Sequence, residues 1–147
     1  MNNHCKLPLG SDNNAYRFPV SVKGVFFLDN GKIPLLLNER DEFELPGGKL
    51  ELNEQPEKCL IREIKEETNL NITTEQIIDS WIYHIDDERH VLIVTYGCII
   101  TDKKINLIHS NEHKKLEQFS IHEVNNLKMP SGYLQSIQRW AKFINIL

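Results

Sequence analysis

The segment at residues 48–70, GKLELNEQPEKCLIREIKEETNL, constrains the fold most because it marks both ends of a helix and carries dense negative charge. Pro56 suits the first turn of a helix, where the missing N–H of proline costs nothing. Asn69 suits the residue just past a helix, where a left-handed backbone conformation is common. The segment therefore predicts a helix over residues 56–68.

This predicted helix has two chemically different sides. At 3.6 residues per turn, the apolar residues within one arc of about 100° are expected to face the core. They are Leu60, Ile61 and Ile64. The residues roughly opposite are Cys59, Glu63, Glu66 and Glu67. The sequence therefore predicts one buried face and one acidic face.

The acidic face is unfavourable for an isolated helix. Glu63 stands four residues before Glu67 and three before Glu66, and each like-charge pair at this spacing costs roughly 0.2–0.5 kcal/mol. Glu66 and Glu67 also lie near the helix C-terminus, where the helix dipole favours cations. A bound cation would resolve the crowding, because clustered carboxylates are hard oxygen ligands that suit Mg²⁺, with Mn²⁺ as a substitute. The alternative is a solvated acidic surface.

The rest of the chain predicts strands around this helix. A length of 147 residues suits one domain, and we expect residues 1–147 to form it, with 1–16 as a loosely packed arm. Runs rich in β-branched and aromatic residues predict strands. They cover residues 18–28, 33–37, 77–85, 90–101 and 116–120. Asp29-Asn30-Gly31 predicts a tight hairpin turn between the first two, and Pro34 indicates an edge or bulge position.

Two helical signals follow these strands. Ser120 and Glu123 have capping-box spacing, which predicts a short helix from Ile121. Pro130-Ser131 opens a second helix, whose apolar residues recur at helical spacing and predict a packing face. These residues are Tyr133, Leu134, Ile137, Trp140, Ala141 and Ile144. The predicted fold class is α/β, with helices covering a mixed sheet in a single domain.

The spacing of the glutamates resembles a family motif. Residues 45–48, Glu54 and residues 62–70 resemble the Nudix box, G-x5-E-x7-R-E-U-x-E-E-x-G-U, in which U is aliphatic. The six matching Gly, Glu and Arg positions are Gly48, Glu54, Arg62, Glu63, Glu66 and Glu67. Asn69 stands where the motif has its last Gly, and Asn is the next most tolerant residue for positive φ. The resemblance implies an α/β/α sandwich around a mixed sheet.

The resemblance also implies roles for individual residues. Metal ligands would be Glu63 and Glu67 with a contribution from Glu66, and a backbone carbonyl at Gly47 or Gly48 would add an oxygen. Arg62 would orient the carboxylates, and Glu54 would support the loop before the helix. The general base would be Glu63 or Glu112, and an exposed loop carboxylate with no catalytic role is the alternative for Glu112.

Other residues are candidates for binding the substrate. Arg40 and Lys49 are candidates for phosphate contacts, with an ordinary surface role as the alternative. Trp81 and Tyr83 lie on a predicted strand, where they can stack on a base, although aromatic strand residues more often serve the core. His109 and His113 are spaced like a zinc pair but lack a third ligand.

Charge and composition limit the partners. The net charge is -4 and no basic face is apparent, which argues against a long nucleic acid. We find no signal peptide and no apolar run long enough for a membrane span, and three widely spaced cysteines suit reduced thiols, so a cytoplasmic location is expected. The sequence does not define the oligomeric state, and a homodimer and a monomer both stay open.

The resemblance implies an activity on small nucleotides. Family members typically use divalent metal to hydrolyse a nucleoside diphosphate linked to another group, which here would be a nucleoside triphosphate or a nucleotide sugar. A catalytically silent nucleotide-binding module is the first alternative. An isomerase acting on a diphosphate lipid precursor is the second, and the complete motif argues against both.

Overall fold

The computed structural model describes residues 16–108, 113 and 115–147. Within them, the chain forms seven strands, two α-helices and a 3₁₀ helix. The strands are β1 (Val20–Val25), β2 (Ile33–Leu37), β3 (Phe43–Glu44), β4 (Gly47–Lys49), β5 (Ile72–His84), β6 (His90–Ile100) and β7 (Lys115–Phe119). The helices are α1 (Pro56–Thr68), the 3₁₀ helix Glu123–Asn126 and α2 (Ser131–Phe143).

The larger sheet is mixed, as predicted. Its four strands lie in the order β4-β1-β6-β5, and β1 runs parallel to β6 while the other neighbours are antiparallel. β5 begins at Ile72, earlier than the sequence predicted, because residues 72–74 continue the ladder with the end of β6. Two register shifts interrupt this ladder, between Thr74 and Gln76 and between Ile77 and Asp79.

The smaller sheet corrects the predicted hairpin. The turn itself forms, since Gly31 has a φ of 80° and donates its N–H to the carbonyl of Leu28 at 2.9 Å. However, β1 pairs with β4 and β6, whereas β2 joins β3 and β7 in a separate three-stranded sheet, so the turn connects two sheets. Pro34 lies in the central strand but beyond the end of β3, so only β7 lies beside it.

The two α-helices cover opposite faces of the larger sheet. α1 packs Leu60 and Ile64 onto a cluster that includes Val22 of β1. α2 packs Ile137 and Trp140 onto the cluster that includes Val25 and Ile93. The alternating side-chain direction along each strand separates the two clusters. The result is the predicted α/β/α sandwich.

The ends of α1 match the prediction, but its buried face does not. Asn69 adopts the left-handed conformation with a φ of 65° and donates its N–H to the Lys65 carbonyl at 2.9 Å. Ile61 is 39% exposed and Cys59 is fully buried, so both placements were wrong. The buried arc is displaced toward Glu67, because the carboxylate of Glu67 points inward to the backbone of β4.

Both helices predicted after the strands are present, but the first of them is of a different type. The N–H of Glu123 donates to Ser120 Oγ at 3.2 Å, and the N–H of Ser120 donates to Glu123 Oε1 at 2.9 Å. This capping box precedes a 3₁₀ helix rather than an α-helix.

Cys59 and Cys98 are buried free thiols, while Cys5 and the predicted arm, apart from Tyr16, lie outside the described residues. None of the described helices has the length and apolar character needed to cross a membrane.

Candidate active site

A buried carboxylate stands where α1 meets β4. Glu67 is 1% exposed, and its Oε1 accepts a hydrogen bond from the N–H of Gly47 at 3.2 Å. Its Oε2 is buried without a hydrogen-bond partner. Burial raises the pKa of Glu67 to about 8. An unsatisfied buried carboxyl oxygen is costly, so this site is suited to receive a positive partner.

The two glycines of β4 let the backbone approach the acidic face of α1. A Cβ added to Gly48 would lie 2.4 Å from the carboxyl carbon of Glu63. Gly47 has a φ of 143°, and a Cβ there would lie 2.0 Å from the carbonyl oxygen of Val22. Any side chain at either position would therefore occupy the space that Glu63 and the β1 backbone now fill.

Arg62 gathers Glu54, which precedes α1, and two carboxylates of α1 that are more exposed than Glu67. It makes a bidentate pair with Glu54, with Nη2 to Oε1 at 2.9 Å and Nε to Oε2 at 3.3 Å. Its Nη1 lies 3.1 Å from Glu63 and 3.4 Å from Glu66. The hydrogen bonds from Arg62 lower the pKa of Glu54 to about 2. These contacts suit the predicted orienting role of Arg62, which stays a prediction.

A second charged group lies beside Glu67 and was not found from the sequence. The Nζ of Lys23 lies 3.9 Å from Glu44 Oε1, and the side chains are 8% and 13% exposed. His113 places Nε2 3.0 Å from Glu44 and Nδ1 3.7 Å from Glu67. Although burial opposes ionisation of Glu44, the charge of Lys23 and the hydrogen bond from His113 lower its pKa to about 2.

The sequence did carry a signal for two of these residues. Lys23 interrupts the apolar run of β1, and Glu44 stands between Phe43 and Leu45 just before the double glycine. A lone charge in an otherwise apolar strand is rarely buried unless it is paired. His113 was considered only as a zinc ligand, and its contacts with Glu44 and Glu67 depend on the fold.

A cavity of about 130 Å³ adjoins this charged group. Arg40 and Tyr83, predicted to bind substrate, both line it. Its lining residues are Ser21, Lys23, Arg40, Glu44, Tyr83, Ile85, Val91, Ile93 and Tyr133. Glu42 accepts a hydrogen bond from the Tyr83 hydroxyl at 2.9 Å and another from Arg40 Nε at 3.3 Å. Arg40 is thereby oriented at the cavity wall.

The aromatic residues around the cavity also pack on one another. The rings of Trp81 and Tyr83 lie 5.6 Å apart, and those of Trp81 and Tyr133 lie 5.0 Å apart. Trp81 belongs to the core cluster beneath α2, which is the packing role favoured from the sequence. Tyr83 both packs in this cluster and borders the cavity.

One predicted site residue is not brought to the cavity. Lys49 is exposed in β4 and is absent from the lining. Glu112 and His109 lie outside the described residues. Their predicted roles remain predictions.

The donor atoms present are suited to a hard divalent cation. Glu63, Glu66 and Glu67 offer carboxylate oxygens, and the glycine backbone adjoins two of them. Among the described residues, no three His, Cys, Asp or Glu side chains are gathered at ligating positions. Arg62 and Gly47 hold the carboxylates instead. Mg²⁺ or Mn²⁺ would therefore fit by drawing oxygens away from these partners.

The fold and this site together define a class of protein, in which a mixed sheet lies between two helices and a glutamate-bearing helix adjoins a double glycine. A family model described as NUDIX domain matches residues 17–140. The chain belongs to the NUDIX family.

Comparison with curated proteins finds partial matches. An 8-oxo-dGTP diphosphatase from Proteus vulgaris is 37% identical over 67 residues, which cover 42% of this chain and 59% of that protein. A MutT-like protein from Streptomyces ambofaciens is 40% identical over 60 residues, which cover 40% of this chain and 38% of that protein. The chain thus spans less than two thirds of the length of these relatives.

Solved structures match over more of the chain. A NUDIX hydrolase from Nitrosomonas europaea has a TM-score of 0.74 at 20% identity, covering 89% of this chain and 96% of that one. A MutT protein from Methanosarcina mazei has a TM-score of 0.72 at 19% identity, covering 85% and 94%. At these identities the likeness establishes the fold.

Proposed function

We propose that this protein is a divalent-metal-dependent hydrolase that cleaves the diphosphate of a nucleoside diphosphate derivative, either a nucleoside triphosphate or a nucleotide sugar. The observation that carries this proposal is Glu67, a buried carboxylate with one unbonded oxygen beside the double glycine. The family membership and the hydrolase names of the relatives support the same reaction class.

Glu63, Glu66 and Glu67 would hold the metal, together with a backbone oxygen at Gly47 or Gly48. When bound, Mg²⁺ supplies neutralising charge for the diphosphate and lowers the pKa of an attacking water. Arg62 holds Glu63 and Glu66 in a fixed direction through its hydrogen bonds. The proton of the attacking water passes to Glu63 or to Glu112.

Lys23 and Arg40 would meet the substrate from the cavity side. Both carry positive charge at the wall of the same cavity, and Tyr83 and Tyr133 provide aromatic surface beside them. A cavity of about 130 Å³ is smaller than the roughly 300 Å³ or more of a site that encloses a whole ligand. We therefore place a ring-sized part of the substrate in the cavity and the diphosphate along the acidic face of α1.

A nucleotide-binding module without activity is the second candidate. The observation that favours it is that Arg62 engages both Glu63 and Glu66, and that no three ligating side chains are gathered for a metal among the described residues. Metal and substrate would have to compete with Arg62 for these oxygens. Binding without turnover would follow if they fail to do so.

A substrate panel separates the two candidates. Nucleoside triphosphates and nucleotide sugars are incubated with Mg²⁺ or Mn²⁺, and release of nucleoside monophosphate is measured against the Glu63→Gln variant. We expect product from at least one substrate class. If several nucleotides bind in calorimetry and none yields product above the variant, the binding module is correct.

The general base is tested separately. In the Glu112→Gln variant, a turnover number equal to that of the unmodified protein would assign the base to Glu63. A loss of turnover with unchanged Mg²⁺ affinity would assign it to Glu112.

A further inference from the structure

Two histidines face each other at the turn end of the β5–β6 hairpin. His84 is the last residue of β5, His90 is the first of β6, and the two are directly paired in the ladder. Their Nδ1 atoms lie 2.7 Å apart, and their ring centroids lie 4.8 Å apart. Both nitrogens are in an exposed environment, so an ion from solvent can reach them.

This pair is separate from the candidate active site. The preceding ladder pair, Tyr83 and Val91, lines the cavity. Because successive side chains of a strand point to opposite faces, His84 and His90 lie on the other face of the sheet. No residue assigned above to metal or substrate binding contacts either imidazole.

The turn between the histidines is held by its own hydrogen bonds. Asp86 Oδ1 accepts the N–H groups of Glu88 and Arg89 at 2.9 and 2.7 Å, and Asp86 Oδ2 accepts Arg89 Nε at 2.7 Å. The N–H of Ile85 donates to the Arg89 carbonyl at 2.9 Å. The two imidazoles are therefore carried on an ordered support, and the Asp86 carboxylate is already engaged.

One imidazole is oriented in the manner of a metal ligand. His90 Nε2 lies 3.1 Å from the carbonyl oxygen of Asp87. A carbonyl only accepts, so Nε2 carries the proton and, in the neutral ring, the lone pair of Nδ1 faces His84. Metal-binding histidines commonly donate their second ring N–H to such a carbonyl, which fixes the ring and its tautomer.

We propose that His84 and His90 form a binding site for a borderline transition-metal ion, Zn²⁺, Ni²⁺ or Cu²⁺, through their two Nδ1 atoms. Imidazole nitrogen suits these ions, whereas Mg²⁺ prefers oxygen, so this site and the carboxylate site select different ions. Zn–N distances of about 2.0–2.1 Å in a tetrahedral site require the two nitrogens to stand about 3.3 Å apart.

The rearrangement needed is small. The two Nδ1 atoms must move apart by about 0.6 Å from their present 2.7 Å, and the rings must tilt so that both lone pairs point to one ion. The proton that His84 Nδ1 donates in the hydrogen-bonded pair moves to its Nε2, so no proton is lost overall. Water completes the coordination, since no third His, Cys, Asp or Glu in the described part of the chain joins the pair.

The probe is Zn²⁺, titrated by calorimetry into the untagged 147-residue chain. His4 and Cys5 are adjacent in the sequence and can also bind Zn²⁺, so the reference protein carries His4→Ala and Cys5→Ser. Excess Mg²⁺ is present throughout to occupy the carboxylate site. We expect one Zn²⁺ per chain, with affinity reduced about tenfold or more by His84→Ala and equally by His90→Ala.

His122→Ala is the matched control, because it removes a histidine from outside the pair, and it should leave Zn²⁺ affinity unchanged. Thermal unfolding provides a second measurement: Zn²⁺ should raise the melting temperature of the reference protein and of His122→Ala but not of His90→Ala. The proposal is overturned if His84→Ala and His90→Ala bind Zn²⁺ as tightly as the reference. It is also overturned if binding disappears in Glu67→Gln and not in the histidine variants.

Discussion

The two α-helices have the same length and cover opposite faces of one sheet, yet they bury different chemistry. The buried face of α2 is mainly apolar and carries no charged group; its polar groups include the hydroxyl of Ser136, which donates to Asp79 at 2.8 Å, and the Nε1 of Trp140, which is buried without a partner. α1 buries Glu67 beside Leu60 and Ile64, with one oxygen of that carboxylate unbonded. α2 is thus optimised for packing, whereas α1 retains an electrostatic penalty at the site where chemistry is proposed.

Replacing Glu67 tests the functional half of this comparison. Glu67→Gln keeps the size of the side chain and removes its charge, so we expect kcat/KM to fall on the order of 10³-fold, or about 4 kcal/mol of transition-state stabilisation. Urea unfolding at pH 8 should give equal or greater stability, since a buried charge is lost. A variant that retains activity, or that unfolds more easily, would contradict the assignment.

Truncating Trp140 tests the packing half. The ring is 2% exposed and lies against Gly97, where an added Cβ would be 2.4 Å from it. Trp140→Ala should lower the free energy of unfolding by about 3–5 kcal/mol. The turnover number of the folded fraction should stay within about twofold, because no proposed site residue is removed. Urea denaturation and kcat together check this, and a large loss of kcat with intact stability would contradict the division of roles.

The pH dependence of stability without added metal sharpens the contrast. Burial raises the pKa of Glu67 from its ordinary value of 4.5 to about 8 in the folded protein. Between these values only the folded state holds the proton, so the free energy of unfolding should fall as pH rises from about 4.5 to 8. The slope from this group is at most about 1.4 kcal/mol per pH unit. The stabilisation is fully present below pH 4.5 and lost above 8.

Neighbouring groups add to this profile in known directions. The hydrogen bond to Glu44 raises the pKa of His113, which also makes stability fall as pH rises above its ordinary value of 6.5. Glu44 acts oppositely, because its stabilisation is present above pH 4.5 and lost as pH falls toward 2. Urea midpoints between pH 4 and 9 should show a shallower slope in Glu67→Gln. Identical slopes in both proteins would refute a raised Glu67 pKa.

The smallest effect concerns the end of α1. Asn69 has a φ of 65° and its side chain donates to the Asn106 carbonyl at 3.0 Å. Asn69→Ala should cost about 1 kcal/mol, because alanine is strained in the left-handed region. Asn69→Gly should change stability by less than about 0.5 kcal/mol, since glycine gains backbone fit but loses the side-chain bond. Urea midpoints check both, and a costly Asn69→Gly would show that the side chain matters more than the backbone.

What the sequence predicted well is local in the chain. Pro56 and Asn69 mark the ends of α1 through the backbone conformations they favour, and the spacing of the glutamates needs no knowledge of the rest of the fold. The rotation of the helix was mispredicted because apolar periodicity favoured Ile61, whereas the bond from Gly47 turns Glu67 inward. A polar contact between distant residues overrode the apolar pattern.

What the sequence missed depends on distant pairing. Lys23, Glu44 and His113 come from three separate parts of the chain, and only the fold places them beside Glu67. β3 and β4 have two and three residues, too few to show any periodicity. The cavity likewise requires β1, β5 and α2 to be assembled before its lining exists.

The parallel pairing of β1 with β6 sets an order for the assembly of the molecule. Val20 pairs with Leu92 and Lys23 with Thr95, so β1 must wait until β6 has been synthesised. α1 and its caps can form earlier, because their contacts are local, whereas a long chain loop must close before Lys23 reaches its place. Activity would then arise late in folding, and a nascent chain that ends before β6 would carry the whole acidic helix without the cavity.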